Sequence, residues 1–84
     1  MENAFWYKIC PFCNQGRLFV FKNLDSNKLY FHCEECERGY YGEKKINKQD
    51  SFLTLLENFD SVIASKDDIV QFGWNTLDLK LVDE

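Results

Sequence analysis

The chain has 84 residues, 45% of them apolar, and a formal net charge of −4. That length makes a single small domain, 1–84, which buries only about 60% of its unfolded surface and is marginal without added support. No apolar run is long enough to span a bilayer, and the acidic balance disfavours general affinity for nucleic acid.

The charge is unevenly placed. Residues 1–48 hold eight basic and six acidic side chains, net +2, whereas residues 49–84 hold two basic and eight acidic, net −6. Such an acidic half suits a basic protein partner or simple solvation. Fourteen aromatic side chains offer an efficient filling for a thin core.

Taken in order, Phe5–Ile9 is rich in aromatic and β-branched residues and reads as a strand. Cys10-Pro11-Phe12-Cys13 follows as a tight turn, with Pro11 fixing one backbone angle. Arg17–Asn23 is the next strand, with apolar residues at both parities from 18 to 21. The Asp/Ser/Asn cluster at 24–27 is a turn, and Lys28–Cys33 returns antiparallel to a second turn, Cys33-Glu34-Glu35-Cys36. Gly39–Gly42 is the expected third strand, and residues 43–49 form a polar connector.

Asp50 or Ser51 is then placed to cap a helix. Phe52, Leu55, Leu56 and Phe59 follow helical spacing, with Leu53 at the flank. A second helix opens at Ser65, which with Asp68 approximates a capping box; Ile69, Val70 and Phe72 face inward and Gly73 ends it. Residues 76–81 alternate, so Leu77, Leu79 and Leu81 share one face of a C-terminal strand. The expected fold class is a small α+β domain: an antiparallel sheet at 5–42, then two short helices and a final strand in the acidic half, 50–84.

All four cysteines fall in the pattern C-x2-C-x19-C-x2-C, and each pair is followed three residues later by glycine, Gly16 or Gly39. Two thiolates on one tight turn can grip a tetrahedral ion, and two such turns close the site. The turn is expected to need a positive φ, supplied by Gly16 and Gly39. Two disulfides, or four unrelated buried cysteines, are the competing readings. The expected ligands are Cys10, Cys13, Cys33 and Cys36, around one structural Zn2+. In small fingers such an ion contributes on the order of 10–16 kcal/mol to folding. No cleavable leader is expected, and four reduced thiols lead to an expected cytoplasmic location.

Residues 5–42 resemble a zinc ribbon on this spacing, which implies the fold and leaves the function open. Rubredoxins use a similar framework with iron, but there glycine directly follows the second cysteine of each pair. Asn14 and Glu37 stand in those places here.

Catalysis is not expected. A closed four-thiolate site leaves no open position for water, and no cysteine remains as a nucleophile. His32, the sole histidine, is read as an ordinary strand residue. Glu34 and Glu35 are read as exposed tips of the second turn.

Nucleic-acid binding or a transcription-accessory role is the alternative function, carried by Phe19, Phe21, Tyr30, Arg17, Lys22, Lys28 and Arg38 on or beside the hairpin. The segment from Trp6 to Gly16, together with Cys33-Glu34-Glu35-Cys36, is similar to small zinc-ribbon immunity proteins. Those neutralise bacterial toxins in contact-dependent and related polymorphic systems. The resemblance implies a protein-binding module that neutralises a toxin domain; the acidic half suits a basic one, and no membrane partner is expected. The charge split places the expected partner surface in the acidic half, at Glu57, Asp60, Asp67, Asp68 and Trp74.

Overall fold

The computed structural model describes residues 4–47, 49–54 and 60–82. Its centre is a hairpin of β2 (Arg17–Asn23) and β3 (Lys28–Cys33), in register from Leu18 opposite Cys33 to Asn23 opposite Lys28. The Asn23 side chain builds the turn between them. Its Oδ1 accepts the Asp25 and Ser26 amides at 2.9 and 3.2 Å, and Asn27 holds a left-handed φ of 56°.

That register explains the apolar residues at both parities. Leu18, Val20, Leu29, Phe31 and Cys33 share one face and are all buried. Phe19, Phe21, Tyr30 and His32 line the opposite face, so both faces carry apolar weight.

Five further strands complete an antiparallel sheet among the described residues. β4 (Arg38–Tyr40) pairs with β3, and β5 (Phe52–Leu53) pairs with β4. β1 (Ala4–Ile9) covers the start of β2, through Trp6 opposite Phe19 and Ile9 opposite Arg17. β6 (Ser61–Ile63) takes over the same edge of β2 from Phe21 to Asn23. β7 (Lys80–Val82) joins β1. The order is β5-β4-β3-β2-β1-β7, with β6 beside β2.

One helix, α1 (Lys66–Gln71), packs on the buried face through Ile69. Its capping box is complete: Ser65 Oγ accepts the Asp68 amide, and the Ser65 amide donates to Asp68 Oδ2, both at 3.1 Å. Gly73, with φ of 76°, ends the helical run as expected. Lys22 Nζ meets Asp68 Oδ1 at 3.2 Å and ties helix to sheet. Behind α1, Trp74 lies 4.7 Å from Phe31, and Leu77 and Leu79 pack on the same core.

Several expectations need correction. Phe52 and Leu53 do not begin a helix; they form β5, with Phe52 opposite Gly39. The reason is aromatic packing. The Phe52 ring covers Gly39, where a Cβ would collide with it, and stacks on Tyr41 at 4.7 Å. Leu55, Leu56, Glu57 and Phe59 lie outside the described residues. Strand β4 starts at Arg38 rather than Gly39 and ends at Tyr40. Val70 is 54% exposed, because a six-residue helix turns only a narrow stripe inward. The final strand is shorter than the alternation implies. Residues 74–76 form a 3-10 turn, and Leu81 is 49% exposed. β6 has no counterpart in the sequence reading.

Candidate metal centre

The hairpin brings its two ends to one side, and each end carries a cysteine turn. The turns share a backbone. The Asn14 amide returns to the Cys10 carbonyl at 2.9 Å, and the Glu37 amide returns to the Cys33 carbonyl at 3.2 Å. Those same residues hold left-handed angles, φ 56° at Asn14 and 59° at Glu37.

The expected positive φ therefore falls on Asn14 and Glu37, not on Gly16 and Gly39. Asn tolerates this region, whereas a Glu there is strained by roughly 1–2 kcal/mol. The glycines serve close approach instead. A Cβ on Gly16 would lie 2.5 Å from Cys33 Sγ and 2.9 Å from the Glu35 amide nitrogen.

The four sulfurs lie within 4.8 Å of one another. Cys10 Sγ stands 3.7 Å from Cys36 Sγ, and Cys13 Sγ stands 3.5 Å from Cys33 Sγ, so each short distance crosses from one turn to the other. Four thiolates around one Zn2+ at the usual bond length would stand about 3.8 Å apart. The cysteines are free, and this spacing fits a single ion rather than two disulfides. Cys10 and Cys33 are fully buried, while Cys13 and Cys36 are partly exposed.

Hydrogen bonds point at the sulfurs, as a thiolate site requires. The Gly16 amide donates to Cys13 Sγ at 3.4 Å, and the Glu35 and Cys36 amides donate to Cys33 Sγ, each at 3.4 Å. Without metal, the Gly16 amide leads in lowering the Cys13 thiol to about 6. Burial pushes Cys36 up to about 12 and raises Cys33 as well. Metal binding must therefore expel protons from Cys33 and Cys36.

Arg17 and Glu34 clamp the two turns together. Arg17 Nε donates to Glu34 Oε2 at 2.7 Å, its second nitrogen to Oε1 at 3.0 Å, and its amide to Oε2 at 3.0 Å. Arg17 holds the Glu34 carboxyl below its ordinary range. Sequence reasoning reads Glu34 as an exposed tip, which it is, and gives Arg17 to the alternative nucleic-acid surface; the fork between them is visible only in three dimensions. His32 sits on the face opposite Cys33, 4.9 Å from the Phe21 ring, so it cannot complete the cluster. Its Nδ1 is buried without a hydrogen bond, and burial lowers its pKa.

Tyr40 is the residue that sequence reasoning misses. It is fully buried, and its Oη lies 3.2 Å from Cys10 Sγ. Burial raises its pKa above the ordinary tyrosine value. The only sequence signal is a tyrosine pair, Tyr40-Tyr41, without indication of which ring faces the sulfurs.

The expected partner surface is dispersed in character. Glu57 is outside the described residues. Asp60 and Asp67 are exposed. Asp68 is committed to the helix cap and to Lys22. Trp74 is half-buried against Phe31 and belongs to the core packing. On the alternative surface, Lys22 is held by Asp68. The Arg38 guanidinium carbon lies 3.7 Å from the Phe12 ring centroid, and the same side chain donates to Ser51 Oγ at 3.2 Å. No described helix is long and apolar enough to cross a membrane. No family model, no curated protein and no solved structure matches this chain.

Proposed function

We propose that the chain is a non-catalytic protein-binding module, folded around one zinc ion, that uses its acidic half to capture a basic partner. The observation that carries this reading is which charges face outward. Of the basic residues on the alternative surface, Arg17, Lys22 and Arg38 are engaged by Glu34, Asp68 and Ser51, which leaves Lys28 exposed. Asp60 and Asp67 are exposed and carry no ion pair among the described residues. Four thiolates suit zinc in a closed tetrahedral site, which supplies folding energy and no open position for chemistry. The finer reading is toxin neutralisation in the bacterial cytoplasm, with a basic toxin domain as partner. It rests on the resemblance read from the sequence at residues 6–16 and 33–36, and on charge complementarity.

The test is capture from nuclease-treated extract by the metal-loaded chain and by an Asp60→Lys, Asp67→Lys variant. Asp68 is left intact, since replacing it would break the helix cap. The variant should lose partner capture, most at low salt, because exposed charges act mainly through steering. Capture that disappears on nuclease treatment, or that survives the double reversal at low salt, overturns the acidic-surface reading. Metal analysis of the purified chain distinguishes zinc from iron.

A further inference from the structure

The two cysteine turns differ in what reaches their sulfurs. Cys33 accepts two backbone amides, from Glu35 and Cys36. Cys10 holds the matching place in the first turn, and no described backbone amide points at its sulfur. Tyr40 Oη reaches it instead, at 3.2 Å. Both residues are fully buried, so water does not compete for either atom. The Tyr40 hydroxyl makes no other hydrogen bond among the described residues.

Chemistry sets the direction of this bond. A metal-bound cysteine is a thiolate without a proton, so the phenol donates. Topology sets the placement. Tyr40 stands opposite Phe31, which shares a face with Cys33, and this turns its ring toward the cluster. A phenylalanine would fill the same space with no hydroxyl to satisfy, and a buried hydroxyl is unfavourable unless bonded.

We propose that Tyr40 is a positioning residue of the metal centre, donating to the Cys10 thiolate in place of the backbone donors that Cys10 lacks. The inference rests on reading the four cysteines as a metal site. The bond draws charge from one of four crowded thiolates and holds its sulfur in one orientation.

The test uses the full chain loaded with Co2+ or with 113Cd2+. Tyr40→Phe should move the sulfur-to-cobalt charge-transfer band to longer wavelength, because losing the donor raises the energy of the sulfur lone pair. Its Co2+ affinity should fall about 10-fold, as for other outer-sphere partners. In the wild-type cadmium form, the Tyr40 hydroxyl proton should show scalar coupling to the metal through Cys10 Sγ, a readout that needs no variant. Tyr41→Phe is the control; that hydroxyl meets Asn23 Nδ2 at 3.5 Å, away from the sulfurs, and its loss should change neither signal. Absent coupling in the wild type, or an unmoved band in Tyr40→Phe whatever its affinity, overturns the proposal and leaves the ring as packing alone. A wild-type chain that takes up neither ion overturns the metal reading itself, and that result is seen before any variant is made.

Discussion

The turn at Cys10–Gly16 and the turn at Cys33–Gly39 share a spacing and a backbone path. In both, the residue four after the first cysteine donates back to its carbonyl and holds a left-handed φ. Their surroundings differ. Gly16 is pressed against the other turn, at the Cys33 sulfur and the Glu35 backbone. Gly39 lies within β4 and is covered by the Phe52 ring of an edge strand. The first turn thus leans on its partner, while the second is braced by the sheet. A repeated motif sets a local turn, and tertiary neighbours decide what each copy bears.

Metal removal should have the largest effect, because it breaks both turns at once. Chelation, or Cys33→Ser, should abolish the native thermal transition in circular dichroism, a loss on the order of 10 kcal/mol. A chelated chain that kept its transition would show the sheet holding the turns by itself, and the metal would be incidental.

The glycines sharpen the contrast. Gly16→Ala drives a methyl into a sulfur and a backbone amide that cannot yield, and should cost about 3 kcal/mol, the upper end for overpacking. Gly39→Ala has as its nearest neighbours the ring atoms of Phe52, on a two-residue edge strand that can shift, and should cost about 1 kcal/mol. Urea unfolding of the metal-saturated variants measures both, and equal losses would erase the difference between the turns.

Arg17 and Glu34 join the turns directly, with side chains 36% and 30% exposed. Glu34→Gln should cost about 0.5–1 kcal/mol, since solvent screens a fork at that exposure, and the loss should shrink in high salt. A salt-independent loss would point to the backbone contact from the Arg17 amide instead.

The smallest effect concerns strain. Glu37→Gly should stabilise the chain by about 0.5 kcal/mol, the relief of a left-handed Glu less the extra entropy of an unfolded glycine. Asn14→Gly should be nearly neutral, since asparagine accepts that region readily. The same unfolding assay separates them; a gain at Asn14 equal to that at Glu37 would mean the two turns carry the same strain.

The sequence by itself determines the features whose causes are local. Paired cysteines two residues apart imply thiolates on one turn, whatever surrounds them. The hairpin follows from its turn chemistry, and α1 follows from Ser65, Asp68 and Gly73, because a cap and its partners lie within one helical turn.

Tertiary structure decides the rest, for two physical reasons. The first is that strand pairing joins segments far apart in the chain. Phe52 has the spacing of a helix, yet its ring gains more by covering Gly39 and stacking on Tyr41. Ser61–Ile63 is too short to announce itself, and becomes a strand because β1 leaves the far end of β2 uncovered. The second is that one backbone conformation can be reached by several residues, and one residue can serve several ends. The left-handed positions fall on Asn14 and Glu37 because the returning amides close the turns there, which frees Gly16 and Gly39 for contact. Tyr40 and Tyr41 are neighbours in sequence, but the pleat sends one ring to a sulfur and the other to the aromatic face.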